Sequence, residues 1–350
     1  MTEPSKRLPK PVGLAVVAIL VVALVAGLLV GGRKVYDVVL AAPDYSGTGS
    51  GTVVVQVHSG DSARTVGQSL LDVGVVKSVK AFTKAAKANP GYKRLQPGFY
   101  ELHQRMAAAK ALGFLLDGKH RKRGRVTIPE GTPLAVLVDR LVKYTELSRA
   151  DVVAALGNPD VLGLPGYAPK PEGFLFPATY DVEPGTAAVD ALRMMTEKFS
   201  EVASGLDLEA GAKAVGLTPY QVVVLASIIE KETPQPDDRA KVARVVLNRL
   251  AKGMRLQLDS TLNYVLAERK ARLTTEDISS DSPYNTYKHT GLPPTPIDSP
   301  GEAALTAALQ PATGDWLYFV TIDKAGHSLF TNDYDAFLKA KAKAKRDGVY

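Results

Sequence analysis

The run Leu225-Ala226-Ser227-Ile228-Ile229-Glu230-Lys231-Glu232-Thr233 ends a long apolar stretch abruptly in charge. Residues 222–225 and 228–229 are apolar on all sides of a helical wheel, the pattern of a buried helix rather than a surface one. Pro234 drives Thr233 away from α geometry, so the helix stops or bends there. Glu230 then lies in the last turn, where the negative end of the helix dipole and partial burial both raise a carboxyl pKa. A carboxyl that keeps its proton near neutral pH is what a general acid requires. Ala226 and Ser227, four and three residues earlier, leave room beside it on the same face. Periodicity alone fits a solvated helix end carrying three charges as well.

Other stretches carry polar chemistry. Pro171-Glu172-Gly173-Phe174-Leu175-Phe176-Pro177 reads as extended, with the Glu172 carboxylate set among aromatic and aliphatic residues. Asp259-Ser260-Thr261-Leu262-Asn263-Tyr264 and Ser282-Pro283-Tyr284-Asn285-Thr286-Tyr287 alternate flat rings with amides and hydroxyls. That mixture suits a sugar, which has apolar ring faces and polar edges, although turns also favour Ser-Pro and Asn. Glu230 with Asp259 or Glu172 would form the carboxyl pair of an ordinary glycoside hydrolase. The chain has no cysteine, and its five histidines are scattered without metal-ligand spacing, so no metal is expected. Net charge is +7, with a dense run at Lys119-His120-Arg121-Lys122-Arg123-Gly124-Arg125. The run lacks interleaved aromatics and reads as a solvated hairpin or loop, or as attraction to anionic lipid or wall polymer, rather than as a nucleic-acid site.

These groups need a scaffold, and 350 residues allow two or three domains. Residues 1–11 form a short basic tail, and 12–32 carry an apolar run long enough to cross a bilayer once. Lys6, Arg7 and Lys10 outnumber Arg33 and Lys34, which puts the tail in the cytoplasm and the bulk outside the cell membrane. Residues 33–51 read as a linker. Strands at 52–57 and 126–128, an extended stretch at 95–102, and helices at 63–73, 77–87, 106–116 and 134–144 follow. Val57 to Asp61, Ile128 to Thr132 and Val182 to Thr186 each set an aliphatic strand end three residues before a glycine, then a helix-capping residue type. This strand–turn–helix echo resembles the small LysM wall-binding module. The expected fold class is therefore α+β: a transmembrane helix, a LysM-like and connecting region at 52–205, and a mixed α+β catalytic domain at 206–350. Helices are expected at 187–202, 237–251 and 334–346, with a strand pair at 316–322 and 329–330.

The motif around Glu230 is similar to the signature of the YceG-like endolytic murein transglycosylases. So are Asn248-Arg249-Leu250, Gly253-Met254-Arg255-Leu256-Gln257, Asp259 through Tyr264, Ser282 through Tyr287, and Gly291-Leu292-Pro293-Pro294, in the same order. Two departures stand out: Ala178 where the family has Asp, and no His near Phe337. The resemblance implies cleavage within peptidoglycan glycan strands to leave 1,6-anhydro-muramic ends, with membrane-bound cell-wall synthases as partners. It implies Glu230 as the single proton-transferring carboxyl, with Asn263, Tyr264, Tyr284, Asn285 and Tyr287 holding the sugars, Glu172 orienting the site and no cofactor needed. A two-carboxylate hydrolase and a non-enzymatic wall-binding scaffold are the competing expectations.

Overall fold

In the computed structural model, residues 42–349 are described, apart from 123, 267, 269 and 271. The expected transmembrane segment at 12–32 and the tail before it lie outside the described residues. Two compact units divide between Lys122 and Arg123. The expected boundary at 205/206 falls inside the second, where one helix feeds two cores.

In the first unit β1 (Ser50–Val57) is followed by α1 (Ala63–Asp72), α2 (Val79–Ala88), β2 (Gly98–Gln104), α3 (Ala108–Leu116) and β3 (Arg121–Lys122). β2 pairs antiparallel with both other strands, Val57 lying opposite Gly98 and Phe99 opposite Lys122. Ser62 and Ser78 start the first two helices by accepting hydrogen bonds from the Thr65 and Ala81 amides. Val66 and Leu70 on α1, and Phe82 and Ala86 on α2, recur every fourth residue and meet Val55, Tyr100 and Leu102 of the sheet in one core. Lys119 to Lys122 of the basic run end this unit in a short 3-10 turn and β3.

The second unit opens with β4 (Arg125–Thr127), α4 (Leu134–Tyr144), α5 (Arg149–Leu156), β5 (Thr179–Asp181) and α6 (Ala188–Gly205). β4 and β5 pair antiparallel, and Val126, Leu137, Leu141, Tyr180 and Met195 close a core beneath them. The other face of α6, through Phe199 and Ala203, enters a second core. That core surrounds α8 (Pro219–Glu232), reached through α7 (Leu208–Ala214). α8 begins with a reciprocal Thr218–Gln221 capping box, and every residue from Val222 to Ile229 is buried. It ends at Glu232, with Thr233 extended before Pro234, as the sequence requires. Beyond it come α9 (Pro236–Ala251), α10 (Asp259–Asn263), α11 (Thr275–Ser279), α12 (Glu302–Leu309), the hairpin β6 (Tyr318–Thr321) and β7 (Ser328–Thr331), and α13 (Tyr334–Arg346). Among the described residues no single helix is long and apolar enough to cross a membrane.

One expectation is corrected. The segment 171–177 is not extended: the Phe174 amide donates to the Pro171 carbonyl across a turn, with Gly173 at φ +86°. The left-handed glycine brings the chain back against Pro296, and a Cβ at Gly173 would lie 2.5 Å from that ring. Gly185 has nearly the same φ, +88°, but open space around it. Gly185→Ala is therefore expected to cost about 1 kcal/mol of backbone strain alone. Gly173→Ala is expected to cost roughly 3 kcal/mol or more, because a clash with rigid proline is added. Urea unfolding of the two variants measures the difference.

Candidate active site

The two carboxyls that end α8 cannot share a site. Residues two apart on a helix project about 200° apart, so Glu230 and Glu232 face opposite sides. On the Glu230 side the room left by Ala226 and Ser227 is filled by protein. The Ser227 hydroxyl accepts from the Ile297 amide at 3.0 Å, and Glu230 Oε2 accepts from the Gly301 amide at 3.1 Å. Arg239 Nη2 donates to Glu230 Oε1 at 3.1 Å, and the Glu230 side chain is only 7% exposed. Burial raises its pKa, with the Gly301 amide and the Arg239 charge acting against that. Glu230 thus joins α8, α9 and the 297–301 segment.

Glu232 lines a cavity of about 350 Å³. Asp259, Tyr287, Tyr318, Tyr334 and Phe337 line it too, with Arg249 and Lys341 adding positive charge. Ser260 donates its hydroxyl to Glu232 Oε1 at 2.5 Å. Burial pushes the Glu232 carboxyl up to about 7, against the Ser260 bond, and the Asp259 charge pushes the same way. The Tyr287 hydroxyl donates to Asp259. Gln257 and Leu258 pin this rim, their amides donating to the Thr286 carbonyl and hydroxyl at 3.0 Å each. Gln257 holds φ +50°, an uncommon conformation for a non-glycine residue. Opposite, Tyr318, Tyr334 and Phe337 form an aromatic cluster with ring centroids 5.2–5.9 Å apart. Arg249 stays in place by donating to the Leu317, Arg255 and Leu256 carbonyls. The arrangement offers a carboxyl able to carry a proton near neutral pH, beside flat rings and hydroxyls. Among the described residues no cluster of metal-ligating side chains occurs.

The expected sugar-binding residues separate. Tyr287 reaches the cavity. Asn285 is fully buried, donating to the Ile278 and Ser280 carbonyls and accepting from the Tyr287 amide, so it shapes the loop and has no donor left for a ligand. Asn263 spends its amide on Lys270, donating to its carbonyl and accepting from its N–H. Tyr264 and Tyr284 pack with ring centroids 5.1 Å apart, and their hydroxyls engage Glu172 and Thr295. Glu172 accepts from the Tyr264 hydroxyl at 2.7 Å and from the Leu134 amide at 3.1 Å. α4 starts at Pro133 without a capping side chain of its own, so Glu172 supplies the cap from a distant segment.

Sequence reasoning passed over Glu232, Tyr318, Tyr334, Lys341 and Asp298. Asp298 is fully buried, with neither carboxylate oxygen hydrogen-bonded and Lys231 Nζ 3.6 Å away. Burial raises it to about 8, Lys231 opposing and Glu230 and Glu172 reinforcing. Glu172 stands at about 7, burial outweighing its two hydrogen bonds. The signal for Glu232 was present as the two-residue spacing itself, since it obliges a choice between faces.

Fold and site together define an α+β protein with a carboxyl- and tyrosine-lined cavity at the end of a helix buried along eight consecutive residues. The chain belongs to the YceG-like family, whose family model matches residues 55–343. It is 32% identical over 332 residues to a Bacillus subtilis protein named endolytic murein transglycosylase, covering 90% of this chain and 91% of that one. A Streptococcus pneumoniae protein of the same name is 28% identical over 315 residues, 81% of this chain but 56% of the relative's length. A crystal structure of a YceG-like protein from Listeria monocytogenes superposes with a TM-score of 0.57 at 31% identity, covering 83% of this chain and 99% of that one.

The buried acids set a pH dependence. Glu172, Glu232 and Asp298 bind their protons more tightly folded than unfolded. Their contribution is present below the ordinary carboxyl range of about 4 and is lost as pH rises through about 7 to 8. The melting temperature is expected to fall over that window. Asp298→Asn is expected to match the parent at acidic pH and exceed it at alkaline pH; parallel melting curves across the pH series would show an Asp298 ionised throughout by Lys231.

Proposed function

We propose that this chain is a membrane-anchored endolytic lytic transglycosylase of nascent peptidoglycan, with Glu232 as its proton-transferring carboxyl. The observation carrying the assignment is that Glu232, not Glu230, is the helix-end carboxyl facing the aromatic-lined cavity. The relatives named endolytic murein transglycosylase support the substrate and reaction class. The neutral Glu232 donates its proton to the leaving glycosidic oxygen as the bond to C1 of the muramic sugar breaks. The resulting carboxylate accepts the proton of that sugar's own C6 hydroxyl, whose oxygen closes on C1 and leaves a 1,6-anhydro end. No water is consumed, and a nucleophile in the same ring needs no capture from solution. Tyr287 is positioned to bond sugar hydroxyls, and Tyr318, Tyr334 and Phe337 present ring faces to the sugar. Cleavage of this kind within a growing strand ends its elongation beside membrane-bound synthases.

The apolar run at 12–32 is read as the anchor, with the bulk outside the cytoplasm. The strand–helix–helix–strand order of β1, α1, α2 and β2 supports a LysM-like wall-binding role for the first unit.

Glu232→Gln is expected to lower release of anhydro-ended glycan by about 10²- to 10⁴-fold with the melting temperature little changed. Glu230→Gln is expected to keep activity within about tenfold while losing stability, because its ion pair with Arg239 is buried. The reverse pattern would return the acid role to Glu230. One observation favours a second reading: Asp259 shares the cavity with Glu232, as a carboxyl pair for ordinary hydrolysis would. Heavy-oxygen water separates the two, since hydrolysis labels the new reducing end and the internal attack leaves it unlabelled.

A further inference from the structure

The chain's charge is unevenly distributed. Residues 42–122 carry twelve Lys and Arg against five Asp and Glu, a net +7, whereas residues 123–350 carry 26 against 29, a net −3. Within the first unit, α1 and α2 flank a groove of about 610 Å³. Arg64, Lys80, Lys84 and Lys87 line it with Gln68 and Val79, and among the described residues no carboxylate does. Lys80, Lys84 and Lys87 recur at four- and three-residue spacing, so they form one stripe along α2. α2 holds no acidic residue, and the acid of α1, Asp72, accepts a hydrogen bond from Gln68 at 2.7 Å.

We infer that this groove docks on the anionic lipid headgroups of the membrane. Ala42 lines the groove, twelve residues after Val30, the last aliphatic residue of the 12–32 run. Fully extended, twelve residues reach about 40 Å, so a chain anchored through 12–32 keeps the groove within that distance of the bilayer surface and able to touch it. The anchor reading decides where the groove sits; the cations decide what it binds. Ammonium and guanidinium groups on long apolar stems, sharing the groove with Val79 and Ala42, suit phosphodiester headgroups with acyl chains beneath.

Residues 42–350 contain all three cores and suffice for the test. The probe is a vesicle of phosphatidylcholine with about one-third phosphatidylglycerol, read by co-sedimentation and compared with phosphatidylcholine alone. Binding is expected only to the anionic vesicles at low salt, and is expected to vanish at about 1 M salt, where the screening length shrinks to ~3 Å. Each basic residue at such a surface contributes roughly fivefold, so Arg64→Gln, Lys80→Gln, Lys84→Gln and Lys87→Gln together are expected to weaken partitioning by several hundredfold. Replacing the three lysines by arginine is expected to retain it. Circular dichroism checks the fold of both variants. Lys339→Gln, Lys343→Gln, Lys345→Gln and Arg346→Gln, which remove four charges from α13, are expected to leave binding within a few-fold. An equal loss in that control, no binding to anionic vesicles, or capture of soluble poly(glycerol phosphate) in place of vesicles would each overturn the assignment. Carbonate extraction of the full chain tests the anchor separately: an extractable chain whose residues 42–350 still bind vesicles refutes the anchor and supports the groove.

Discussion

Desolvation at the end of one helix governs the second unit. α8 is buried along eight consecutive residues, so its charged side chains are confined to the final turn, where the helix emerges from its core. Three ionisable groups in a row then have to diverge, and each finds a different surrounding. Glu230 meets a cation and a backbone amide, Lys231 meets Asp298 and the Gly131 carbonyl, and Glu232 meets a serine and an open cavity. One helix end therefore makes a structural ion pair and a proton-carrying group from the same residue type.

The acids around this helix show why burial alone does not identify a site. Glu172, Glu232 and Asp298 all hold protons more tightly than a solvated carboxyl, with burial as the main cause in each. Only Glu232 combines that property with space for a ligand and a wall of rings. Glu172 uses its oxygens on a helix terminus and a tyrosine, and Asp298 is enclosed. Geometry separates groups that titration would treat alike.

The parts legible in the sequence were those set by short-range periodicity and turn chemistry. The apolar run of α8, its stop before Pro234, the lysine-rich last helix and the β6–β7 pair follow from residue types a few positions apart. Echoed glycines at Gly60, Gly131 and Gly185 do adopt left-handed φ, yet the caps fall one residue later, at Ser62, Pro133 and Ala187. What was hidden depends on chain segments far apart. The cavity joins residues of α8, α9, α10, β6 and α13, and no local pattern says that Tyr334 will face Glu232. Asn285 misled for a related reason: an amide in a loop looks available until the loop closes over it.

The remote cap on α4 has an evolutionary corollary. Glu172 and the Leu134 amide it serves lie 38 positions apart, and Tyr264 joins them from a further 92. Three distant stretches of chain are thereby joined through one side chain. In a hybrid chain, whichever parent supplies residue 172 decides whether that helix keeps its start, since the amide it serves is backbone that any non-proline residue at 134 provides.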